Sequence, residues 1–296
     1  VAERVRSGEA GGMAFLTEPA PPRGVMLPVI AGVHRVVAAN SSVMTYHGTN
    51  TFLIDQDDGG VTVLDPGPND AAHVAAVIAG GAGRIARILV SHAHGDHVGA
   101  AAALRAETGA PVFGARSGGP VAYDHLVRLG DVIAGMQALF TPGHASDHVC
   151  FERADGVVFT GDHVMGWASS VVNPPDGDMA AYCDSLELML ARPHRLYLCG
   201  HGPEIAEPHA HVRALLDHRR RREEAIAHAV RRRPSDTHTL MERLYSKIDP
   251  MLKLAAERNV LAHLLKLQQE GKVAPQGALW HWVGAGPQGN TDAHPL

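Results

Sequence analysis

A chain of 296 residues, 45% hydrophobic and 19% charged, has room for two domains and enough apolar surface for a sizeable core; a disordered tail or a small disulfide-stapled scaffold is excluded. Its 32 glycines and 19 prolines follow no G-X-Y period, which excludes collagen, and its three cysteines (Cys150, Cys183, Cys199) are too few and too far apart for a disulfide framework or a four-cysteine zinc site. The net charge of −5 is unevenly spread: residues 1–205 hold 12 arginines, no lysine and 21 acidic residues, while 206–296 hold 14 basic against 10 acidic residues, an asymmetry that points to two domains. No apolar stretch has the length of a signal-peptide core or a membrane span, so a protein of the reducing cytoplasm is expected.

In chain order, residues 1–30 are Gly/Pro-rich and read as an arm with an entry loop. Strands are expected over 33–39, at the end of 45–55 and over 61–65, the last two joined by a turn at QDDGG. Asn69 and Asp70 can cap a helix over 71–79. A strand over 84–92 runs into a glycine-containing loop, followed by a helix (99–108) and a strand (111–115). A short helical segment is expected within 121–135, then strands at 138–141, 148–153 and 157–162 and a loop over 168–178. Asp178 caps a helix over 179–192, and a strand over 195–201 follows. The remainder reads as helices over 208–233, 236–248 and 251–271, the last interrupted near Asn259, and a two-strand ribbon over 272–283. Three helices and a ribbon make the order of a winged helix–turn–helix. The tail, 284–296, is Gly/Pro-rich.

Histidine is frequent, 20 residues in all, and its placement is informative. In SHAHGDH (91–97), His92, His94, Asp96 and His97 put four candidate ligands into six residues at a strand exit, and Gly95 permits a sharp turn. Neutral imidazoles and carboxylates suit zinc without any thiolate. His144, Asp162 and His201 each follow a glycine just beyond a strand or at its turn. Seven ligands exceed what one tetrahedral zinc can use, and two zinc ions sharing one carboxylate account for them all.

HAHGDH (92–97), with His144, Asp162 and His201 in order, resembles the metallo-β-lactamase superfamily. GTNTFLID (48–55), LDPG (64–67) and the winged-helix pattern resemble its β-lactamase-like hydrolase and endoribonuclease branch. The resemblance implies an αββα sandwich over 31–205, a small winged-helix domain over 206–283 and a flexible tail. It implies that His92, His94 and His144 hold one Zn2+, that Asp96, His97 and His201 hold a second, and that Asp162 bridges them together with a hydroxide. Asp65 would lie beneath the metal loop and fix the backbone or a ligand histidine. Asp96, Asp162 and His163 are the candidates for catalytic work, His163 as a proton shuttle lining the cleft, while His148 reads as structural. Cys199 reads as buried packing.

The expected activity is metal-dependent hydrolysis of an ester, thioester or lactone carbonyl of a small acyl compound. The alternatives are an endoribonuclease on single-stranded RNA, a β-lactamase, and a non-catalytic nucleic-acid-binding module. Seven arginines between 218 and 233 favour a phosphate partner, but Glu223 and Glu224 interrupt the run, so a solvated helix face competes with that reading. No membrane partner is expected, and a homo-oligomer is compatible with the sequence without being specified by it.

Overall fold

In the computed structural model, residues 6–7, 14–115 and 121–284 are described; most of the Gly/Pro-rich tail, and much of the expected N-terminal arm, lie outside them. A two-residue pairing of β1 (Arg6–Ser7) with β2 (Ala14–Phe15) precedes the first large sheet. That sheet contains β3 (Met26–Ile30), β4 (Val33–Val37), β5 (Asn50–Asp55), β6 (Val61–Leu64), β7 (Ile85–Leu89), β8 (Val112–Gly114) and β9 (His125–Leu126), side by side in chain order. Helices α1 (Ala71–Gly81), α2 (Gly95–Val98) and α3 (Ala101–Thr108) interrupt it, and from β6 onward the pairs are parallel. The second sheet runs β10 (Val132–Ile133), β11 (Met136–Phe140), β12 (Val149–Arg153), β13 (Val157–Gly161) and β14 (Leu196–Cys199), with α4 (Met179–Leu190) between the last two.

Period-two alternation explains the layering. Phe52 and Ile54 of β5 point into a core shared with Phe151, Phe159 and Leu198 of the second sheet, whereas Leu53 points the other way, to a core shared with Val77 of α1 and Leu104 of α3. Phe52 and Phe159 meet edge to face across the sheets at 5.1 Å, a geometry that adds about 0.5–1.5 kcal/mol to their burial. Asp70 caps α1 and Asp178 caps α4, each accepting a backbone N–H three residues on. The result is a two-sheet sandwich with flanking helices, as the resemblance implied.

Three expectations are corrected. Residues 26–30, read as part of an entry loop, form the edge strand β3; Pro28, which has no N–H to give, is tolerated there because it sits at the edge. No helix forms within 121–135. That segment supplies β9 and β10, and Ala134 and Gly135, both at positive φ, make the two-residue turn from β10 to β11. Helix α7 (Lys253–Gln269) runs unbroken through Asn259, whose side chain is buried.

The chain divides into two compact units, residues 1–218 and 219–296, with the division falling within α5 (Pro208–Arg232). In the second unit, α6 (Thr237–Leu244), a 3-10 turn (Pro250–Leu252), α7 and the ribbon of β15 (Val273–Gln276) and β16 (Leu279–Trp282) complete a winged helix. Its core joins Ile226 and Val230 to Leu240, Val260, Leu264 and Trp280. Several residues of the charged run serve this packing. Arg222 lies 4.1 Å over the Tyr245 ring and donates to Leu244 O, Arg231 lies 4.1 Å over Trp282, and Arg219 is buried. Among the described residues, no helix is long and apolar enough to cross a membrane.

Glu223 accepts from Lys266 Nζ at 2.7 Å and from buried His263 Nδ1 at 3.2 Å. Burial works against its charge, but these hydrogen bonds outweigh it and hold the carboxyl below the usual range. A depressed folded-state pKa stabilises above the unfolded-state pKa and loses that contribution as pH falls through the folded value. Glu223→Gln should therefore cost about 1–3 kcal/mol at neutral pH, and the gap from wild type should narrow as pH drops below about 4.3. Urea unfolding followed by tryptophan fluorescence measures this, and a pH-independent gap would refute the assignment.

Candidate metal centre

Seven side chains from four loops, with Asp65 on a fifth beneath them, converge at one end of the sandwich. Asp65 follows β6 and occupies the left-handed region, φ 52°. Its Oδ1 accepts the Ser91 N–H at 2.7 Å, and its Oδ2 accepts the Ser91 hydroxyl at 2.8 Å and the His97 Nδ1–H at 2.9 Å. That fixes the His97 tautomer and turns Nε2 outward. The His92 Nδ1–H donates to Ser91 Oγ at 3.0 Å, leaving His92 Nε2 available as a lone pair. The same logic holds for His144, whose Nδ1–H donates to Val171 O at 2.6 Å, and for His201, whose Nδ1 faces Gly48 O at 3.3 Å.

The freed atoms meet. His94 Nδ1 lies 2.9 Å from His92 Nε2 and 3.0 Å from His144 Nε2, close to the roughly 3.3 Å between nitrogens of a tetrahedral zinc site. His201 Nε2 lies 3.3 Å from Asp96 Oδ2 and 3.4 Å from Asp162 Oδ2, and His97 Nε2 lies 3.3 Å from Asp162 Oδ1 and 3.6 Å from Asp96 Oδ2. Asp162 Oδ2 is also 3.7 Å from His144 Nε2, so its carboxylate spans both groups. The ligand atoms form three overlapping sets: His92, His94 and His144; His92, His97 and Asp162; Asp96, His97 and His201. His97 Nε2 and Asp162 Oδ1 are fully buried and make no hydrogen bond to the described residues. Buried donor atoms left so, with converging lone pairs, fit a bound cation.

The electrostatics divide the cluster. Burial holds His92 well below the ordinary imidazole value and lowers His144. Burial also opposes charge on His97 and His201, but the Asp162 carboxylate, with Asp96, outweighs it; His97 is raised well above its usual value and His201 to about 9. Reciprocally, and against burial, these imidazoliums hold Asp162 well below its usual value and Asp96 at about 2. A metal ion takes these imidazoles in their neutral form, so its binding is coupled to proton release.

Glycine makes the convergence feasible. A Cβ on Gly200 would stand 2.7 Å from both Asp162 Oδ1 and His97 Cε1. In the sequence Gly200 is visible only as the glycine before His201, and its packing against Asp162 and His97 is not. His148, expected to be structural, supports the turn that carries Asp162: its Nε2 accepts the Asp162 backbone N–H at 3.2 Å while Nδ1 faces the Thr141 hydroxyl at 2.9 Å. Only the spacing of His148 from His144 could have signalled this. His163 is not brought to the cleft. It is fully buried 5.1 Å from the Tyr182 ring, and burial pushes its pKa down to about 3. Cys199 is buried, and burial raises its thiol to about 12.

A recess of about 220 Å³ opens onto the cluster, lined by His94, Asp96, His144, Asp162 and His201 and walled by Met44, Thr45, Val171, Asn173 and Asp176. A larger groove of about 730 Å³ lies at the other end of the strands among Asp55, Asp58, Gly135 and Asp155, with no histidine among its described lining residues.

Comparison with known proteins bears on the family and the fold. A family model described as "Metallo-beta-lactamase superfamily" matches residues 44–129, and one described as "Beta-lactamase associated winged helix domain" matches 237–282. A Drosophila melanogaster protein named "Beta-lactamase-like protein 2 homolog" is 31% identical over 82% of this chain and 90% of its own length. An Aspergillus chevalieri protein named "Atrochrysone carboxyl ACP thioesterase" is 29% identical over 88% of this chain and 90% of its own length. The crystal structure of a beta-lactamase domain protein from Burkholderia ambifaria superposes with a TM-score of 0.78 at 21% identity, covering 90% of this chain and 96% of that one, which shows a shared fold.

Replacing Gly200 by Ala should drive a methyl group into the Asp162–His97 contact and cut metal affinity by at least about tenfold. Zinc competition against a chromophoric chelator measures it, and wild-type affinity in that variant would show that the close approach has no bearing on the ligands.

Proposed function

This chain belongs to the metallo-β-lactamase superfamily, and on that premise we propose that it hydrolyses the ester, thioester or lactone bond of a small acyl compound at a centre of two zinc ions. His92, His94 and His144 would hold one ion, Asp96, His97 and His201 the other, and Asp162 would reach both. When bound, the ions supply Lewis acidity toward a substrate carbonyl and a water acidic enough to attack at neutral pH.

The residues of the chain do the rest by preorganisation. Asp65 and Ser91 fix the tautomers of His97 and His92, so these side chains need no reorientation. His148 holds the turn that carries Asp162. Met44 and Val171 offer apolar contact to an acyl group, and the exposed Asn173 offers an amide.

The observation that carries the reading is the chemistry of the recess. Among its described lining residues there is no lysine or arginine, and Asp176 adds a carboxylate at its wall. A polyanionic strand needs several cations along its track; an uncharged acyl group needs none. The name of the Aspergillus chevalieri relative, a thioesterase, supports the same substrate class.

A panel of thioesters, esters and lactones should be assayed beside a labelled single-stranded RNA. Acyl substrates should turn over in zinc-loaded enzyme and fall to background with Asp162→Asn at matched metal content. RNA cleavage that needs metal, disappears with the same variant and weakens steeply with salt would overturn the proposal in favour of a nuclease.

A further inference from the structure

Outside the ligand set, a buried polar network surrounds the loop that carries His201. Asn50, the first residue of β5, is 2% exposed. Its Nδ2 donates to Cys199 O and to Gly202 O, both at 2.9 Å, which uses both amide hydrogens on carbonyls either side of His201. Its backbone N–H donates to Gly200 O at 2.8 Å, and the Gly200 N–H donates in turn to Gly161 O at 2.8 Å, beside Asp162. Asn50 Oδ1 faces Arg35 Nη1 at 3.5 Å, and the same guanidinium nitrogen donates to Gly202 O at 3.3 Å. Arg35 is locked by a bidentate pair with Glu18, at 2.6 Å and 3.3 Å, with only 14% and 12% of the two side chains exposed.

We propose that Asn50 and Arg35 are positioning residues for His201, setting the affinity of the chain for the second of its two metal ions. The proposal rests on the two-ion reading above. Its physical basis is that every carbonyl from Cys199 to Gly202, His201's own apart, receives a donor from Asn50 or Arg35, so the imidazole is delivered from a backbone with little freedom to move. An isosteric carboxylate at position 50 would put an acceptor oxygen, in place of the Nδ2 donor, against the Cys199 and Gly202 carbonyls and open the loop. Lysine at position 35 keeps the buried cation but loses the planar fork that serves Glu18 and Gly202 together. The set of His92, His94 and His144 shares none of these contacts, so the first ion should be indifferent to either change.

The test uses the full chain, stripped by a chelator and titrated with Zn2+ against a chromophoric competitor, for wild type, Asn50→Asp and Arg35→Lys. The expected result is an unchanged first equivalent and a second equivalent weakened roughly 10–100-fold in Asn50→Asp and less in Arg35→Lys. If Asn50→Asp does not fold, Arg35→Lys decides alone. Two wild-type affinities in the variants would overturn the proposal, as would equal weakening of both equivalents, which marks a general structural role. Wild type that takes a single equivalent would remove the two-ion reading itself, and the positioning proposal with it.

Discussion

One buried carboxylate organises the site. Asp65 sits at the end of a central strand in a left-handed backbone conformation that disfavours most side chains, and its two oxygens take three donors: Ser91 N–H, Ser91 O–H and His97 Nδ1–H. Through them it shapes the turn that begins the histidine motif, fixes one ligand's tautomer and, by way of the serine hydroxyl, orients a second. A hydrogen-bonded charge in so dry a place is costly to lose, because its partners would be left buried and unsatisfied. The chain therefore presents its inward nitrogens before any cation arrives.

The sandwich explains why such an arrangement is available at all. Strands β6 and β7 run parallel in one sheet, β13 and β14 run parallel in the other, and all four deliver their C-terminal ends to the same edge. Asp65, the 91–97 motif, Asp162 and His201 are the residues that leave those ends. The opposing sheets are held together by interdigitated apolar residues such as Phe52, Phe151 and Phe159, so the spacing between ligand loops is set by core packing. The winged helix has its own core, and two arginines of its basic run, Arg222 and Arg231, lie over aromatic rings, a packing role that needs no nucleic acid.

Much of this was legible in the sequence, for identifiable reasons. Strand exits marked by Gly-His or Gly-Asp, and caps marked by Asp70 and Asp178, are local signals with local causes, and the corresponding elements appear where expected. The helix expected within 121–135 failed because Ala134–Gly135 is a two-residue hairpin turn whose first member is not one of the usual turn residues. Proline at position 28 concealed an edge strand that pairs with one side only. At the site, the ligand types could be read from the chain, whereas the packing of Gly200, the bonds of Asn50 and the bond of His148 to Asp162 depend on residues more than ten positions away in sequence. His163 was misjudged for a related reason: adjacency to Asp162 in sequence does not mean adjacency in direction, and its side chain points into the protein interior.

The central claim is that seven preorganised side chains hold two cations that share Asp162. Anomalous diffraction from crystals of the zinc-loaded protein, collected at the zinc edge, tests it most directly. The account expects two peaks about 3.5–4 Å apart, one among His92, His94 and His144 and one among Asp96, His97 and His201, with the Asp162 carboxylate reaching both. A single peak at saturating zinc, with Asp162 turned away from it, would contradict the account.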